Sequence, residues 1–218
     1  VEYGVASNPV LPGSSGGGYD ATRLGGNGGG VIRIVATQLT VNGTVRADGG
    51  AGGTWAGGGS GGSILLNAQT VSGSGLISSR GGAGGGSGAG GGAGGRVALY
   101  YSTWTEGTSL AFDGRGGNGI ASNLLRNVTT PYPRPPSFGT LYLSATNGWL
   151  SNTLNRTFQG IHLEVNGLNA WSPANLLVTN CWIQWPAGFQ LSVTGAVTLL
   201  GTNAAMIFQG DPGFSCGG

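Results

Sequence analysis

The few charged side chains of this 218-residue sequence recur at fixed places. Asp48, Arg80 and Arg115 each stand directly before a Gly-Gly step, and Arg46, Ser78 and Asp113 each stand two residues earlier. If equivalent positions stack on one another, they form a single ladder of carboxylates and guanidiniums beside glycine-rich loops. Recognition or cleavage of an acidic sugar chain needs such groups on one sheet face, so Asp48, Arg80, Asp113 and Arg115 are candidate carbohydrate-binding residues. The default reading is mutual compensation across rungs, each exposed pair contributing about 0.2–1 kcal/mol. Trp55 sits at the tip of a glycine loop, where a core role is hard to imagine, and is a candidate for stacking on a sugar ring. For the other tryptophans, core filling or subunit contact is the default. His162 and Glu164 share a face of the alternating segment Ile161-His162-Leu163-Glu164-Val165. An acid–base couple would use such a pair, but a solvent-facing cross-strand pair is the expected role.

Other chemistries are excluded by residue type. The sequence has no lysine, which removes the phosphate-cradling P-loop and Schiff-base catalysis. Matches to G-x-G-x-x-G are expected by chance among 49 glycines, and strands rather than helices follow them. One histidine and two cysteines at no ligand-like spacing make no zinc site, so no metal and no cofactor is expected. Nine scattered arginines and a net charge of +2 form no basic stripe, which argues against nucleic acid and anionic membranes. No apolar run is long enough to span a bilayer. Cys181 and Cys216 lie about one repeat apart. They would stack and bond if rungs there kept the earlier length, and otherwise they are free thiols.

A strong internal repeat must position these residues. Gly30-Val31-Ile32-Arg33-Ile34-Val35-Ala36 returns as Gly62-Ser63-Ile64-Leu65-Leu66-Asn67-Ala68, and a third copy opens at Gly95-Arg96-Val97-Ala98-Leu99-Tyr100. Leu39 answers Val71, Val45 answers Ile77, and Phe112-Asp113 answers Ile77-Ser78. Units of this period cannot bury an apolar face alone and stack to share a core. Period-two alternation, as in Ile32, Ile34 and Ala36, marks strands, and no segment has helical periodicity. The predicted fold is all-β: a right-handed parallel β-solenoid (β-helix), with a β-sandwich or barrel of hairpins as the alternative. Its glycine loops, 49–62 and 81–95, should run side by side in polyproline-II-like conformation. A flexible spacer is the competing reading.

Four stretches follow along the chain. Residues 1–24 are a lead-in coil, 25–119 the glycine-rich solenoid, 120–137 a connector containing Pro131-Tyr132-Pro133-Arg134-Pro135-Pro136, and 138–218 a continuation with shorter coils. In that last stretch Leu176–Trp185 and Phe189–Leu200 each read as one strand. The start at Val1 reads as a mature or internal piece of a longer polypeptide.

The pattern Gly-Gly-x-Ile-x-Leu-x-Ala followed by Gly-x-Ile-x-Ala-x-Gly-Gly, at 28–50 and 60–82, resembles the glycine-rich repeats of very large secreted bacterial surface and matrix proteins. Gly95-Arg96-Val97-Ala98-Leu99-Tyr100-Tyr101 and Gly139-Thr140-Leu141-Tyr142-Leu143 resemble elements that close such blocks. The resemblance implies an extracellular or cell-surface β-helix and brings no catalytic residues. The expected function is therefore a non-enzymatic structural or adhesive module, part of a larger secreted protein or a filament subunit, whose partners are copies of itself or neighbouring domains. A carbohydrate-binding or polysaccharide-cleaving module is the alternative. Packed loops also imply that several alanine substitutions among Gly57, Gly58, Gly59, Gly90, Gly91 and Gly92 lower thermal stability.

Overall fold

The repeat register of the sequence is the hydrogen-bonding register of the fold. In the computed structural model, residues 4–86, 88–119, 137–201 and 204–208 are described, with residues 213–216 described by backbone alone. The proline-rich stretch 131–136 lies outside the described residues. Strands β1 (Val31–Thr40), β3 (Ser63–Ser72) and β5 (Arg96–Tyr100) pair in parallel, with Val31 against Ser63 and Ser63 against Arg96. The shorter strands β2 (Thr44–Arg46), β4 (Leu76–Ser78) and β7 (Ala111–Asp113) form a second stack, with Val45 against Ile77 and Ile77 against Phe112. Strand β6 (Thr103–Trp104) adds to the far end of β3. Every pairing between named strands is parallel, and no helix occurs among the described residues.

The two stacks become one sheet at β10 (Phe158–Val165). Its first residues pair with β7, Phe158 against Phe112, and the remainder pairs with β8 (Gly139–Leu143), Ile161 against Gly139. The resulting 11-stranded parallel sheet curls into a half-barrel. Gly160 explains the join. In the earlier coils a glycine excursion separates the two stacks, and its base is closed by N–H donation from Gly62 to Ala47, Gly95 to Ser79 and Gly139 to Gly114. In β10 the excursion shrinks to one residue, Gly160, at φ +61, where a Cβ would lie 2.6 Å from the Arg115 side chain. Only glycine accepts both the left-handed backbone and that approach.

From there the chain runs in strict rotation through three parallel sheets. Strands β9 (Thr153–Asn155), β12 (Leu176–Thr179) and β15 (Val197–Leu200) form one sheet, and β10, β13 (Trp182–Trp185) and β16 (Ala205–Phe208) extend the large one. Strands β11 (Ala170–Trp171), β14 (Gln190–Val193) and β17 (Gly213–Cys216) form the third. The two long strands expected at 176–185 and 189–200 are each cut in two by a corner, one at Asn180 (φ 47) and one around Gly195. Apolar alternation does not register such a corner, because residues on both sides still point into the same core.

That core is a continuous column. Ile64, Leu66, Val97, Leu99, Leu141, Leu143, Ile161 and Ile183 are buried on successive rungs. Phe112 stacks on its register partner Phe158 at 6.1 Å, Trp149 meets Phe158 edge-on, and Trp185 stacks on Phe189 at 4.4 Å. Each fully buried large apolar side chain contributes about 1.5–3 kcal/mol.

The glycine loops are ordered by their own backbones. From Ala56 to Gly62 every N–H is donated to a carbonyl. Gly57 and Ser60 reach Gly17 and Ser14 of the lead-in, Gly58 and Gly61 reach Gly90 and Ala93 of the next loop, and Gly59 and Gly62 reach back to Gly50 and Ala47. Successive N–H groups thus face three neighbours in turn and return to the same one every third residue, which is the repeat of polyproline II. Gly49 and Gly52 likewise donate to Arg80 and Ala83, and Gly81 and Gly84 to Arg115 and Asn118. A lone polyproline-II chain has no internal hydrogen bonds, and here adjoining arms supply them.

Such packing leaves no room for a Cβ. At Gly58, Gly59, Gly91 and Gly92 it would fall 1.9, 2.1, 1.9 and 1.9 Å from backbone oxygens of adjoining arms, whereas Gly90 faces open space and a Cβ at Gly57 would come no nearer to a neighbour than 3.3 Å, at Gly17. The several destabilising positions expected among these six glycines are therefore four. Alanine at position 58, 59, 91 or 92 should destabilise by at least the overpacking cost of about 1–3 kcal/mol, while Gly90→Ala should be neutral within about 0.5 kcal/mol. Thermal melts of the single variants check this, and hydrogen exchange should show the Gly58, Gly61, Gly82 and Gly92 amides protected.

Candidate functional site

The charged ladder forms where the second stack of strands passes into the glycine loops. Arg46, Ser78 and Asp113 are register partners on β2, β4 and β7. Asp48 accepts from the Ser78 hydroxyl at 2.6 Å and the Arg80 N–H at 2.8 Å through Oδ1, and pairs with Arg46 Nε at 3.2 Å through Oδ2. One rung on, Arg115 grips Asp113 in a two-point pair, Nε to Oδ1 at 3.0 Å and a terminal nitrogen to Oδ2 at 2.6 Å, and Arg80 Nε stands 3.6 Å from the same Oδ2. The hydrogen bond to Asp113 raises the Arg115 pKa above its ordinary value. Both carboxylates are committed to neighbours, and Asp113 is only 7% exposed. The arrangement aligns sheet with loop and presents no free carboxylate for proton transfer.

The structure thus brings together Asp48, Arg80, Asp113 and Arg115 and leaves Trp55 elsewhere. Trp55 occupies a loop tip at φ 64, its N–H donated to Gly85. The Arg23 guanidinium lies over its ring at 4.4 Å and over Tyr19 at 4.8 Å, Tyr19 meets it edge-on at 5.3 Å, and Asp20 holds Arg23 at 3.1 Å. The Asp20 carboxyl is lowered from its ordinary range by its hydrogen bonds to the Thr22 side chain and backbone. Trp55 is 48% exposed, and the Arg23 guanidinium already stacks on its ring. Trp182 leans on Phe138 outside the core and Trp185 is buried, so the two point to opposite faces of β13.

His162 Nε2 lies 3.9 Å from Glu164 on one sheet face, a weak contact on a strand where His162 stands in register with Thr140. No group of three or more potential metal ligands exists among the described residues. Cys181 is a free, fully buried thiol at the corner before β13. Rungs there span 22 and then 23 residues, Ile161 to Ile183 to Met206, so the 35-residue separation of the two cysteines is not one rung. The backbone of Cys216 stands against Val193, in a different sheet. Burial pushes the Cys181 thiol up to about 12.

Sequence reasoning missed one feature. Across the outer face of β1, β3 and β5, beside Tyr100, lies a shallow groove of about 630 Å³, lined by Val35, Asn67, Gln69, Tyr100, Ser102 and Ser144. Tyr100 donates to the Ser7 carbonyl at 2.7 Å and packs on Tyr142 at 5.4 Å. Desolvation raises the Tyr142 pKa. The only signal in the sequence was the row of Asn67 and Tyr100 at matching repeat positions.

Compared with known protein families, curated proteins and solved structures, the chain matches none.

Two outcomes follow. Asp113→Asn keeps the shape but loses the pairs to Arg115 and Arg80. Since Arg115 is 34% exposed and partly screened, the loss should be about 1–3 kcal/mol, read as a lowered denaturation midpoint at unchanged slope. For Cys181 the folded-state pKa lies above the ordinary 9.0, so stability is full below pH 9.0 and falls as pH rises towards 12. Denaturation at pH 8 and pH 10.5 should show this fall in the native protein and a smaller one in Cys181→Ala, and native Cys181 should resist alkylation until the chain unfolds.

Proposed function

We propose that the chain is an extracellular structural module, a right-handed parallel β-solenoid flanked by a polyproline-II-like glycine bundle, which serves as part of a larger secreted polypeptide or as a filament subunit and is not an enzyme. One observation carries this reading. β1 is a ten-residue strand at a sheet edge with one strand partner, β3. Its inward residues Ile32, Ile34 and Leu39 are only partly buried, and Val31 and Val35 on its outer face are 46% and 67% exposed. Natural edges are guarded by proline, bulges or repeated charge. β1 has neither proline nor bulge, and Arg33 is its single charge. Such a rung is suited to another rung above it.

The opposite end, at β15, exposes Leu199 and Leu200 at 45% and 49%. Parallel rungs make the two ends different and mutually complementary, which favours head-to-tail association. The neutral, lysine-free surface and the secreted-repeat resemblance support an extracellular or cell-surface setting, with polysaccharide as a second possible partner.

The test is association in solution. Sedimentation velocity and negative-stain electron microscopy should show concentration-dependent, linear assemblies. Lysine at the exposed ends, Val31→Lys with Leu199→Lys, should shift the protein towards monomer at unchanged melting temperature. Monomers at every concentration would defeat the self-associating version.

A further inference from the structure

The geometry points to the groove across β1, β3 and β5 as a binding site for a neutral, extended polysaccharide chain. This goes beyond the structural role and does not depend on it. The groove has the chemistry that such a ligand requires. Asn67 and Gln69 offer exposed amides, Ser102 and Ser144 hydroxyls, and Tyr100 an aromatic ring, with Val35 as an apolar end wall. No charged side chain is in the lining, so neither an anionic nor a cationic chain has a counter-charge there.

Dimensions and rigidity support the same class. Val35, Asn67 and Tyr100 are register partners on three rungs, and Ser144 donates its N–H to Leu99 on the fourth. Rungs about 4.8 Å apart repeat at close to the advance of one pyranose unit in an extended chain, so successive sugars meet successive rungs. The aromatic wall is held before any ligand arrives, because Tyr100 is fixed by Ser7 and Tyr142. The back wall is held likewise: the Tyr101 hydroxyl donates to the Ala145 and Asn147 carbonyls, and the Ser144 hydroxyl accepts the Tyr101 N–H. Preorganised walls lose little freedom on binding. Trp55 offers less, since Arg23 already covers its ring.

Isothermal titration with cellohexaose, mannohexaose and xylohexaose, against an oligogalacturonate of equal length, tests the assignment. At least one neutral hexasaccharide should bind and the anionic one should not. The double variant Asn67→Ala and Gln69→Ala, both exposed side chains, should weaken binding at least ten-fold at unchanged melting temperature, whereas Trp55→Ala should leave it unchanged. Absence of binding by all three neutral probes, binding untouched by the double variant, or preference for the oligogalacturonate would each overturn the assignment. Sedimentation of the same samples reads the association state separately, so either proposal can fail alone.

Discussion

Everything in this molecule depends on the backbone hydrogen bond between one rung and the next. In the strands it gives parallel ladders, and in the glycine arms it gives a bundle whose central arm, Ala56 to Gly62, finds a carbonyl for every N–H, from Gly57 onward on three neighbours in turn. An ordered glycine sacrifices about 0.5–1 kcal/mol more than alanine in backbone entropy, so the arms would be mobile if isolated. Close approach offsets that loss. Where glycine stands at the contacts, the arms come near enough to share hydrogen bonds with their neighbours, and burying an unpaired amide among them would itself cost about 1–3 kcal/mol.

The apolar column and the bundle constrain each other through the loop bases. Gly62, Gly95 and Gly139 donate to Ala47, Ser79 and Gly114, so each loop leaves and re-enters the sheet stacks at one point. The charged ladder stands immediately beside that point. Asp48 ties Arg46 and Ser78 of the strands to Arg80 at the start of a loop, and Asp113 ties two arginines. Its chemistry is that of a registration device at a junction between two kinds of secondary structure. Where the excursion shrinks to Gly160, the junction disappears and the two stacks fuse in β10.

Much of the fold was legible. Paired positions read from the repeat, such as Leu39 with Val71 and Phe112 with Ile77, are register partners. Ladder membership was legible for the same reason, since equivalent residues of a stacked repeat become neighbours. Trp55 was separable only in three dimensions, because Tyr19 and Arg23 come from the lead-in, outside the repeat. The groove was legible only in part: Val35, Asn67 and Tyr100 share a repeat position, but Ser7, which holds Tyr100 in place, comes from the lead-in outside the repeat.

By itself the sequence determined that the described residues form β-structure, that its units stack, which residues share a rung, and that lysine-dependent chemistry has no lysine to use. Those properties follow from alternation, periodicity and residue type, which are local and additive. Tertiary structure decided how the arms of the bundle are paired, where the coils turn their corners, and how the three-sheet rotation shortens each rung after β10. It also decided that Cys216 stands against Val193, and that Gly90 is free where Gly91 and Gly92 are not. These depend on distances between backbones remote in sequence, and a glycine carries no side chain to announce which neighbour it will meet.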